Sequence, residues 1–174
     1  MNIGPYISEI LYHIGAAHQA LVSSDDLFIN HHRFLVHCAV IHKILFPNKH
    51  YLKKEEKELA RQREKMLSEY FARCKDINDS SNVRDFRNHF EHLDTRMDKF
   101  LGRGGETLLV DRNVFVGDLS KCIMVKGQSL PDEYKFRNFE NGILTFMGEK
   151  FDTREAIKWI DAIKDYIERT PVRS

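Results

Sequence analysis

Between Val83 and Leu101 the chain reads VRDFRNHFEHLDTRMDKFL, with an apolar residue every three or four positions. Val83, Phe86, Phe90, Leu93, Met97 and Phe100 form that stripe. Such spacing predicts one amphipathic helix packed against other helices. The opposite side carries Arg84, Arg87, Asn88, Glu91 and His92. At about 100° per residue, these five span about 140° of one helix face. His89 falls at the border of the apolar stripe and is expected to be partly buried and structural. His92 shares a face with Asn88.

The rest of the chain predicts partners for this stripe. Residues 5–23 read as a first helix, with Tyr6, Ile10, His13 or Ile14, Ala17 and Leu21 inward and Pro5 in the first turn. Residues 27–46 form a second helix after the turn Ser24-Asp25-Asp26, which supplies an N-cap. It is apolar over most of its circumference, as central bundle helices are. Pro47-Asn48 ends it. Residues 51–75 form a long, charged third helix without Gly or Pro. Its apolar side is narrow and its charge is locally basic. A solvated face with i, i+4 ion pairs is the ordinary reading of such a run. A phosphate-attracting wall beside the fourth helix is the sharper one. The fourth helix spans 80–101, capped from Asp79, Ser80 or Ser81 and stopped by the glycine cluster at Gly102.

From residue 106 to about 147 the period changes to short β-like runs separated by turn signals at Asp111-Arg112, Gly117-Asp118 and Gly127. Asn141-Gly142 is a hairpin signal, because both residues accept positive φ. A last helix covers 153–169, with Ala156, Ile157, Trp159, Ile160, Ile163 and Ile167 inward, Asp152 and Glu155 resembling a capping box, and the residues from Pro171 expected to fray. The fold expected is mainly α: a single domain, 1–174, of four to five helices with a small antiparallel β insert before the last.

Charge and composition limit the functions available. The 174 residues carry a net charge of +1, which argues against a strongly basic nonspecific nucleic-acid binder but leaves room for a local patch. Cys38, Cys74 and Cys122 are far apart and lack a CxxC spacing, so neither a disulfide framework nor a zinc finger is expected. No apolar run approaches the roughly 20 residues of a membrane span. A cytoplasmic protein is expected. His31, His32, His37 and His42 lie on the second helix, but no two are four apart. They are expected to be helix-border histidines rather than metal ligands, and no cofactor is expected.

The segment Arg87-Asn88-His89-Phe90-Glu91-His92 resembles the Arg-x4-6-His motif of the HEPN superfamily, in which a polar residue often follows the arginine. HEPN domains are helical bundles, and many are metal-independent endoribonucleases of toxin, antiviral and RNA-processing systems. The resemblance implies RNA as substrate, Arg87, Asn88 and His92 as catalytic residues, and a homodimer whose two motifs face each other. An antitoxin-like protein partner is a further implication. The chemistry of the residues fits. RNA cleavage by a 2′-hydroxyl needs a cation on the phosphorane oxygens and groups that move protons. Arg87 is a forked permanent cation, His92 titrates near neutral pH, and Asn88 can hold either His92 or a phosphate oxygen. Arg84 and Glu91 support the site, with Glu91 expected to pair with Arg84 or Arg87 or to orient an imidazole across an interface. The alternatives are a noncatalytic HEPN-like dimeric binding or regulatory module, and a polar surface that matches the motif by chance.

Overall fold

The computed structural model describes residues 2–50, 52–74, 77, 80–102, 110–115, 124–125, 128–129 and 135–170. The architecture is mainly helical, with a small sheet before the last helix. Two helices, α1 (Gly4–Leu21) and α2 (Leu27–Leu45), pack along each other. Asp26 caps α2, its Oδ1 accepting from the amides of Phe28 at 2.8 Å and Ile29 at 3.3 Å. α2 is the central element, touching α1, α4 (Ser81–Glu91), α6 (Thr153–Arg169) and the sheet. Its Phe34, Leu35, Cys38 and Ile41 are wholly buried, alongside Ile10 and Ile14 of α1 and Ile160 and Ile163 of α6. The near-continuous apolarity of α2 follows from this position.

α3 (Lys54–Tyr70) buries only Ala60 and Leu67 within its length. Glu56 accepts from the Lys53 amide at 2.8 Å and caps its start. The helix packs by a narrow seam and leaves its charged sides open.

The segment expected as one helix over 80–101 divides. α4 runs Ser81–Glu91 and α5 runs Leu93–Leu101, separated by His92 with φ −114° and ψ 34°. No Gly or Pro stands at the break. Tertiary contacts hold α5 on the sheet side of the break: Phe100 reaches Phe136, ring centres 5.6 Å apart, and Arg96 reaches the Glu149 carboxylate. The stripe therefore does not stay inward throughout. Val83, Phe86 and Phe100 are buried, while Phe90 and Met97 are exposed.

The main sheet has the order β1 (Val110–Phe115), β4 (Lys135–Glu140), β5 (Ile143–Phe146), β6 (Glu149–Asp152). A separate two-stranded ladder joins β2 (Met124–Val125) to β3 (Gln128–Ser129). β4, β5 and β6 are antiparallel, as expected of the insert, but β1 joins β4 in parallel. The Asp111-Arg112 turn expected there is instead an irregularity within β1. Asn141 and Gly142 adopt φ of 48° and 85° and make the β4–β5 hairpin. Met147 and Gly148 repeat that geometry before β6, a hairpin without an obvious sequence signal because methionine rarely takes positive φ. The Asp79 cap, the rest of the glycine cluster from Arg103, the turns at Gly117-Asp118 and Gly127, and the tail from Pro171 lie outside the described residues.

Asp152 caps α6 through the Arg154 amide at 2.9 Å. The Asp152 amide, which Glu155 would take in a capping box, instead donates to Asn82 Oδ1 at 3.0 Å. No helix is long and apolar enough to cross a membrane among the described residues.

Candidate functional site

The orientation of α4 is set by three attachments. Val83 and Phe86 are buried in the core, with the Phe86 ring edge-on to Phe151 at 5.1 Å. Asn82 bonds both the amide and the carbonyl of Asp152. His89, two turns further on, is wholly buried and donates from Nδ1 to Glu149 Oε2 at 3.0 Å. A carboxylate only accepts, so the Nδ1 proton is assigned by its partner. His89 Nε2 is buried without a hydrogen bond, which suits an unprotonated nitrogen. Burial, partly offset by Glu149, holds the His89 pKa below the ordinary imidazole value. Its role is structural.

These attachments turn Arg84, Arg87 and Asn88 toward the α2–α3 connection. There they line a cleft of about 640 Å³ with Lys57 and Arg61 of α3 and with His42, Lys49 and His50. Five of its lining residues are permanent cations, and none is an aspartate or glutamate among the described residues. Carboxylates outside the lining hold three of them: Glu64 pairs with Lys49, Glu58 with Arg61 at 3.6 Å and Asp85 with Arg84 at 3.5 Å. The Asn48 side chain accepts from the His50 amide at 3.2 Å and shapes the connection.

Arg87 differs from the other cations. It is only 7% exposed. Its Nη1 donates to His42 Nδ1 at 3.1 Å and to the Phe46 carbonyl at 3.2 Å, and its Nη2 donates to Asn88 Oδ1 at 3.2 Å. Its Nε is buried without a partner among the described residues. All the acceptors are neutral. A buried charge is costly unless an opposite charge compensates it. Beside a cleft lined by cations, the chemistry calls for an anion, and a forked guanidinium suits phosphate oxygens.

The two remaining sequence-identified residues stand apart from that cleft. Glu91 pairs with Lys43 of α2 at 2.6 Å, not with Arg84 or Arg87 as expected. α4 lies against the last turns of α2, so the nearest cation to Glu91 comes from another element. His92 is exposed and lines a neighbouring hollow with Lys43, Leu52, Arg63 and Glu91. Cleft and hollow meet at Pro47 and Asn48, which line both. Within one chain, Arg84, Arg87 and Asn88 therefore share a site, and His92 and Glu91 flank it.

Sequence reasoning missed His42, Lys49 and His50 as members of this site. The basic α3 was the available signal for Lys57 and Arg61. His42 carried none, since its neighbour Arg87 is 45 residues away. The other α2 histidines are occupied structurally. His31 bonds the Leu27 carbonyl at 2.8 Å, His32 lies among Phe28, Phe86, Phe90 and Phe146, and His37 meets His13 at 2.9 Å. No family model, curated protein or solved structure matches this chain.

Proposed function

We propose that this protein is a metal-independent endoribonuclease that holds a phosphodiester of single-stranded RNA in the Arg87 cleft. The observation that carries the reading is Arg87 itself: a buried guanidinium whose partners among the described residues are neutral, bordering a cleft that no described carboxylate lines. The resemblance of the Arg87–His92 segment to HEPN nucleases supports the same reading. Arg87 and Asn88 bind the non-bridging oxygens, and Lys57, Arg61 and Arg84 raise the local positive potential. The 2′-oxygen attacks phosphorus and the bond to the 5′-oxygen breaks. The 2′ proton passes to a base, and an acid protonates the leaving oxygen. His92 is the imidazole assigned to this proton transfer. The products are a 2′,3′-cyclic phosphate and a 5′-hydroxyl.

The proposal includes a homodimer. A second copy approaching along the polar face of α4 brings another His92 and Arg87 to the same phosphate. A toxin or defence role, with an antitoxin-like partner, extends this reading. The test is cleavage of labelled single-stranded RNA by pure protein in EDTA, with the ends identified by mass spectrometry. Full activity in both Arg87→Ala and His92→Ala proteins would sink the proposal. One observation favours a second reading, a noncatalytic RNA-binding module: His92 lines the neighbouring hollow and not the Arg87 cleft. Tight RNA binding with no cleavage by the dimer would select it.

A further inference from the structure

We infer that the hollow beside the Arg87 cleft is a base-recognition pocket for guanine in a single-stranded RNA. This rests on the reading that the cleft holds an RNA phosphate. The hollow, about 540 Å³, shares Pro47 and Asn48 with the cleft as lining residues, so a nucleotide with its phosphate in the cleft can extend its base toward the hollow.

The two spaces differ in chemistry. The cleft is lined by cations. The hollow is walled by Leu52, Pro47 and the aliphatic stems of Lys43 and Arg63, with a few polar groups. An apolar cavity with a few placed polar groups suits a flat heterocycle better than a phosphate. Single-stranded RNA is commonly read by stacking on guanidinium or aromatic planes and by bonds to the Watson–Crick edge. Arg63 and His92 supply flat groups. The Arg63 guanidinium lies 5.7 Å from the Tyr6 ring centre and donates to the Lys43 carbonyl at 3.5 Å, which restrains it.

Specificity comes from Lys43 and Glu91, whose charged atoms lie 2.6 Å apart. Together they present a donor beside a carboxylate acceptor. Guanine offers the complementary edge: O6 accepts, and N1–H and N2–H donate. Uracil matches with one donor fewer. Adenine turns the N1 lone pair toward the carboxylate, and cytosine offers one donor and two acceptors. The order of preference is therefore guanine, then uracil, then the other two.

The experiment uses full-length protein and fluorescein-labelled 2′-O-methyl oligonucleotides, which cannot be cleaved by 2′-oxygen attack. A single guanine in an oligoadenylate background is expected to tighten binding about tenfold, and inosine, which lacks the N2 amine, to give a smaller gain. Glu91→Gln, with its melting temperature checked, is expected to remove most of that preference. Equal wild-type affinity for the guanine, inosine and adenine oligonucleotides overturns the pocket and leaves the phosphate cleft standing. A guanine preference that survives in Glu91→Gln overturns its assignment to this hollow. Failure to bind any RNA overturns both readings.

Discussion

Arg87 Nη1 stands 3.1 Å from Nδ1 of His42, in the interior between α4 and α2. Arginine has no acceptor, so His42 accepts at Nδ1 and carries any proton of its neutral ring on Nε2. The contact fixes the guanidinium at the wall of the cleft and adds no negative charge to it. Replacing His42 by Phe is expected to weaken binding of noncleavable RNA about tenfold, roughly the net worth of a hydrogen bond to a charged group. His42→Gln, which can accept again, should recover part of it. Fluorescence anisotropy on both variants checks this, and unchanged affinity in His42→Phe would count against a positioning role.

Charge and geometry at Arg87 separate cleanly. Arg87→Lys keeps the charge but loses the fork that meets His42, Phe46 and Asn88. It is expected to lower cleavage at least about tenfold. Arg87→Glu should abolish cleavage and, because it buries a carboxylate against the Phe46 carbonyl, also lower the melting temperature. Activity near wild type in Arg87→Lys would show that the fork is not used.

His92 lies outside the Arg87 cleft, so binding and chemistry should separate there too. His92→Ala is expected to slow single-turnover cleavage by about 10²–10⁴-fold, the usual contribution of a general acid or base. Its affinity for noncleavable RNA should fall far less. Equal losses in rate and affinity would make His92 a binding residue only.

Lys57 and Arg61 reach the cleft from α3. If each neutralises a phosphate, removing one lowers the slope of log affinity against log salt by about 0.7 for a single strand. Titrations of the Lys57→Ala and Arg61→Ala proteins at several salt concentrations measure it. Unchanged slopes would restrict these two to solvated surface.

His32 and His89 give the fold a pH dependence. Burial lowers the pKa of both in the folded chain; His89 lowers that of His32 further, and Arg96 that of His89, against the opposing pull of Glu149. Below the ordinary value of about 6.5 the unfolded chain takes up protons that the folded chain does not. Stability is therefore full above about pH 6.5 and falls as the pH drops below it. Urea midpoints measured at several values between pH 7.5 and pH 5 should decline accordingly. His89→Phe should flatten that decline, and an unaltered profile would assign the effect elsewhere.

Much of the architecture was legible because it depends on chemistry within a turn or two of chain. The apolar continuity of α2 foretold its central place, and the inward residues of α6 followed from helical period. Asn141-Gly142 foretold its hairpin because both residues tolerate the positive φ that the turn needs. The same periodicity set His89 at the edge of the apolar stripe, but it set Arg87 away from the core, and the packing of α4 on α2 buries it instead. β6 was less legible, since its turn depends on Met147 at positive φ, a conformation imposed by the sheet around it.

What the chain could not disclose locally is which remote group each polar side chain meets. Arg87 meets His42 and Phe46, Glu91 meets Lys43, and Asn82 takes the Asp152 amide that Glu155 would have capped. The break at His92 and the parallel docking of β1 on β4 belong to the same class. Period and backbone preference are properties of neighbouring residues, so the sequence by itself determined the elements and their inward faces. Charge partners and cleft walls arise where elements distant in sequence come together, and only the packing of α2, α3, α4 and the sheet decided those.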